Sequence, residues 1–124
     1  MSSRDLKNYS DKQVIIIGYE PSVDNIFKSI LRDEARCKVE IVDYVNNLIE
    51  KVIEFQPNLI LITTFRHTKL INIFKNDPDL ESVPIILLSG AATIDEFRAS
   101  GADDFLSKPV DVNQLFNKVK YFLG

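Results

Sequence analysis

At 124 residues with 45% hydrophobic content, the chain is sized for one domain with a full core and no need of staples. A net charge of −3 gives no electrostatic drive toward nucleic acid or an anionic membrane. No run approaches the roughly 18 apolar residues of a membrane span, nothing in 1–13 has the pattern of a signal peptide, and the single cysteine, Cys37, excludes an internal disulfide and leaves the cytoplasm as the default compartment.

The polar first dozen residues, 1–12, read as a loose leader before a domain over 13–124. "QVIIIG" (13–18) is a short unbroken apolar run, the mark of a strand covered on both faces. "VDNIFKSILRD" (23–33) has helical spacing, with Val23, Ile26, Phe27, Ile30 and Leu31 on one face. "KVEIVD" (38–43) alternates and is β-branched, which suits a strand nearer an edge. A helix follows over 46–55, a second fully apolar strand over 58–63, a short helix over 68–76 and a third apolar strand over 83–90. "TIDEFRAS" (93–100) opens on a capping-box pattern, Thr93 with Glu96, and has room for about two helical turns before Gly101. "DFLSK" (104–108) is a fifth strand. The last helix, 111–123, has Asp111 as N-cap and Gln114 three residues on, with Val112, Leu115, Phe116, Val119 and Phe122 as its apolar stripe.

Five strands alternating with five helices imply right-handed βαβ units and a doubly wound parallel sheet. Periodicity does not fix the strand order. With the order 2-1-3-4-5, the ligand-binding crevice falls between strands 1 and 3. Gly18, Tyr19, Glu20, Thr63 and Thr64 would meet there, with Ser89 and Lys108 beside them.

The blocks "VIIIGYEPSVDNIFKSIL", "FQPNLILITT", "DPDLESVPIILLSG" and "GADDFLSKPVDVNQL" resemble the successive blocks of a response-regulator receiver domain, from Val14 nearly to the end. The last block is the most specific. The resemblance implies a five-stranded flavodoxin-like sheet of order 2-1-3-4-5 with five helices, and the chain departs from the family in a shortened helix 4. It also implies a phosphorylation site made of an acidic pair after strand 1, an acceptor aspartate after strand 3, a Ser/Thr after strand 4 and a lysine after strand 5. Here the acidic pair falls on Gly18 and Tyr19, the acceptor on Thr63, the Ser/Thr on Ser89, the switch aromatic on Phe105 and the lysine on Lys108, followed by Pro109 in what the family makes a cis peptide. All three carboxylates are missing.

Mg²⁺ is usually held by one or two carboxylates. Glycine supplies no side-chain ligand, and a tyrosine phenol is neutral at pH 7. Thr63 is a weak nucleophile that needs a base, and Glu20 is the nearby candidate. Lys108 must therefore turn to solvent, to Glu20, to backbone carbonyls or to another ligand. The loops after Thr63 and Ser89 are shorter than in the family, the first carrying His67 as a solvated residue. Tyr19 reads as a plug in the emptied pocket, and Phe105 equally as core or as a fixed aromatic at a partner face. Cys37 reads as an ordinary small side chain, since a redox role needs a partner thiol.

The expectation is an atypical receiver domain of bacterial signalling or regulation, neither phosphorylated nor Mg²⁺-binding, with no cofactor, metal or enzymatic activity. It would be a protein-interaction module, docking another protein, another domain or itself through the helix 4–strand 5–helix 5 face. The alternative is a sensor whose cleft binds a small anion through Thr63, Ser89 and Lys108. An enzyme of flavodoxin-like architecture ranks last, for want of a Gly-rich phosphate loop, a Ser/His/Asp set or a metal cluster.

Overall fold

The computed structural model describes residues 9–18, 21–43, 47–63, 67–89, 94–108 and 110–124; for 21–24, 43, 67, 68, 89, 94 and 96 it describes the backbone. In chain order the elements are β1 (Gln13–Gly18), α1 (Pro21–Ile30) continued by a π-helical turn (Leu31–Ala35), β2 (Lys38–Asp43), α2 (Leu48–Phe55) and β3 (Leu59–Ile62). They go on with α3 (His67–Lys75), β4 (Ile85–Ser89), α4 (Ile94–Ser100), β5 (Asp104–Ser107) and α5 (Val112–Leu123). The strands pair in parallel in the order β2-β1-β3-β4-β5, as the resemblance implies.

Period-two alternation divides the apolar runs of β1 and β3 between two cores. Val14, Ile16, Leu59 and Leu61 face Phe27 and Leu31 at the end of α1 and Leu115, Val119 and Leu123 of α5. Ile15, Ile17, Ile60 and Ile62 face Leu48 and Val52 of α2 and Leu70, Ile71 and Phe74 of α3. All eight strand residues are fully buried, which is why the sequence shows continuous apolar runs there rather than alternation.

Three expectations are corrected. The leader is not loose to its end, because Tyr9 is buried in the first core and its N–H donates to Ala35 O at 3.2 Å. The packed unit therefore starts at Tyr9 at the latest. Ile26 is 58% exposed rather than on the apolar face. Phe27 and Leu31, four residues apart, form with Ala35 the face that is buried, and Ile26, one helical step of about 100° from Phe27, falls outside it. Val112 is also exposed, since the first turn of α5 projects past the core that holds Leu115 and Val119. Asp111 does cap α5, accepting the N–H groups of Asn113 (2.8 Å) and Gln114 (3.1 Å). The Thr93–Glu96 capping box and Pro109 lie outside the described residues.

Two helices end on non-glycine residues in the left-handed region, Arg36 (φ 61°) and Gln56 (φ 55°). The Gln56 N–H closes α2 by donating to Val52 O and Ile53 O. Replacing Gln56 by glycine is expected to raise stability by about 0.5–1 kcal/mol, because glycine adopts that conformation without a Cβ clash. The gain would appear as a higher urea midpoint; an unchanged or lower midpoint would show that the turn carries no such strain.

Candidate functional site

Parallel pairing brings the C-terminal ends of all five strands to one edge, the place where such sheets hold ligands. Gly18 ends β1, Thr63 follows β3, Ser89 ends β4 and Lys108 follows β5. Register sets Ile17 beside Ile62, and Ser89 beside Ser107, so these four positions share the edge. Tyr19, Glu20 and Thr64 lie outside the described residues, as do the side chains of Ser89 and His67.

Thr63 is 7% exposed. Its N–H donates to Ile17 O at 2.9 Å, continuing the β1–β3 ladder, and its hydroxyl donates to the same carbonyl at 3.3 Å. A hydroxyl held this way is turned into the sheet, and a carbonyl oxygen is no general base. Lys108 is half-buried and reaches from the end of β5 past β4, where its Nζ donates to Thr63 O at 3.4 Å. Among the described residues this ammonium meets a backbone carbonyl, whose partial negative charge replaces part of the lost hydration; the Glu20 route lies outside them.

The two acidic residues of "GADDFLSKP" stand at the other end of β5, which is four residues or roughly 13 Å long at the usual rise per residue. They brace helices there. The Asp103 carboxylate accepts the Ile85 N–H at 2.7 Å and the Lys75 ammonium at 2.7 Å, while Lys75 also donates to Val83 O at 3.2 Å. Asp104 accepts Lys118 of α5 at 2.7 Å and the N–H of Phe105 at 2.8 Å. Sequence reading left both acids unassigned, and the signal available was only their place beside a strand start.

Phe105 is half-buried against the second core, and its ring stacks on Phe97 of α4 with centroids 4.9 Å apart and planes at 26°. Phe97 was missed because no spacing within an eight-residue block points to a partner across the fold. Cys37 is 2% exposed with Sγ donating to Leu31 O at 3.5 Å, and burial pushes its thiol pKa up. A raised thiol pKa disfavours the reactive thiolate.

None of positions 18, 19 and 63 carries a carboxylate, the group by which proteins usually hold Mg²⁺. Among the described residues no group of three His, Cys, Asp or Glu could hold a metal ion, and no helix is long and apolar enough to cross a membrane.

No family model matches the sequence. Among solved structures, the chain is similar to a response regulator receiver modulated diguanylate cyclase from Pelobacter carbinolicus at 27% identity, covering 90% of this chain and 92% of that one, with a TM-score of 0.76. It is similar to the signal receiver domain of a signal transduction histidine kinase from Syntrophus aciditrophicus at 26% identity, covering 90% and 89%, with a TM-score of 0.77. A third likeness is to the receiver domain of the sensor histidine kinase PA1611 from Pseudomonas aeruginosa PAO1, which has a magnesium ion coordinated in its active-site cleft; identity is 17%, coverage 91% and 98%, and the TM-score 0.79. The fold is that of receiver domains found in signalling proteins.

Proposed function

We propose that this receiver fold works without a phosphoryl group and without Mg²⁺, as a protein-docking module in signalling. One observation carries the reading. The position after β3 holds a buried threonine whose hydroxyl is bonded to Ile17 O, and the lysine that would meet a phosphoryl group is bonded to that threonine's own carbonyl. With no carboxylate at 18, 19 or 63, neither the acceptor nor the metal charge that phosphoryl transfer requires is supplied.

The face made by α4, β5 and α5 is the proposed docking surface. Tyr121 stands 79% exposed on it, on the rim of a groove of about 570 Å³ lined by Asp103, Asp104, Asn117, Lys118 and Phe122. Tyrosine is among the residue types enriched where partners anchor, because its ring adds contact area at little entropic cost. The small-anion reading is weaker, since the Thr63 hydroxyl and the Lys108 ammonium both point to carbonyls.

Amide chemical shifts of the ¹⁵N-labelled chain, titrated with Mg²⁺ and then with beryllofluoride, test the reading. No saturable shift is expected at Gly18, Thr63, Ser89 or Lys108. Saturable shifts with Mg²⁺ would overturn it. Saturable shifts with beryllofluoride but not with Mg²⁺ would hand the site to the small-anion reading.

A further inference from the structure

Helix α4 has seven residues, too few for a helix to persist without tertiary anchoring. Of its described side chains, Asp95, Arg98 and Ala99 are exposed and Ser100 is buried, leaving Phe97 as the one large apolar anchor among them. Ser100 is spent locally, its hydroxyl donating to Phe97 O at 2.6 Å and accepting the Ala102 N–H at 3.2 Å. Gly101 then turns the chain at φ 87°, close under Ile71 of α3.

The strand side of the contact is rigid. Phe105 pairs with Leu87 in the ladder and packs on the second core. Immediately before it, Asp103 and Asp104 tie the start of β5 to Lys75 and Lys118. A short helix whose one large apolar anchor among its described side chains is Phe97 thus meets a strand fixed at several points, and the ring of Phe97 lies on the ring of Phe105. We infer that this pair is a latch: it holds α4 against β5, and α4 leaves the fold as a unit when the stack is broken while the rest of the sheet stays closed. The inference rests on the reading of α4–β5–α5 as the docking face, in that the latch names what keeps that face in one shape. It requires nothing of the strand-end chemistry.

Native-state amide exchange on the isolated chain tests the latch, with Phe97→Ala, Phe105→Leu and the double variant. Leucine at 105 keeps bulk on the core and removes the ring. Each single change is expected to speed exchange of the described α4 amides about tenfold, with amides of β1 and β3 unchanged. The double variant is expected to match the singles, because either change alone removes the ring stack. Phe97→Tyr, which retains the ring, is expected to stay at the wild-type rate. Unchanged α4 exchange, equal acceleration throughout the sheet, or a double variant equal to the product of the singles would each overturn the latch. Protection in β1 and β3 reports in the same spectra that every variant is folded. Partner binding is not part of this readout, so the latch and the docking face can each fail without the other.

Discussion

Phe74→Ala is expected to lower the unfolding free energy by about 3–5 kcal/mol, the usual cost of emptying a fully buried aromatic site. Phe74 has no exposed surface and, with Leu70 and Ile71 at helical spacing, forms the stripe by which α3 covers Ile60, Ile62, Ile85 and Leu87. The cavity would open between a nine-residue helix and two central strands, which have little room to collapse into it. Against a typical total of about 5–15 kcal/mol, this removes a large share of the stability. Urea unfolding followed by far-UV circular dichroism measures it, and a loss under about 1 kcal/mol would show that α3 is not seated as described.

Asp103→Ala comes next, with an expected loss of about 2 kcal/mol, reduced from the sum of its charge-assisted bonds because the carboxylate is partly solvated. The aspartate joins three elements through two donors: the Ile85 N–H at the start of β4 and the ammonium of Lys75, which ends α3. Removal leaves the Ile85 N–H without that acceptor and Lys75 with Val83 O. Asp103→Asn keeps an acceptor for the backbone while dropping the charge, so it should cost about half as much. If both variants unfold at the wild-type urea midpoint, the contact is an ordinary surface ion pair and does not join the elements.

The layered fold was legible because fully covered strands leave an unmistakable trace. "VIII" and "LILI" can satisfy two cores at once and little else. The positions around the strand ends were legible through the receiver resemblance, and Thr63 and Lys108 do come to one edge. What stayed hidden depends on chain geometry that no period records. Tyr9 sits in a polar run, and its burial follows from where the chain passes Ala35. The buried face of α1 is centred on Phe27 and Leu31 and continues into Ala35 of the widened turn, which leaves Ile26 in solvent although its spacing admits it to the apolar stripe. Arg36 and Gln56 end helices where a glycine would have announced the stop. The work of Asp103 depends on Ile85 and Lys75, 18 and 28 residues distant.

Placing the first strand in the middle of the sheet has a consequence for birth on the ribosome. β1 lies between β2 and β3, and the contact that closes its second edge, Ile17 with Thr63, joins residues 46 apart. At about 5–20 residues per second, the Val14–Ile17 run waits roughly 2–9 seconds after synthesis before that neighbour exists. During this interval the most apolar segment of the chain is a bare, one-sided ribbon. It is the stretch on which a nascent-chain chaperone would find its longest foothold.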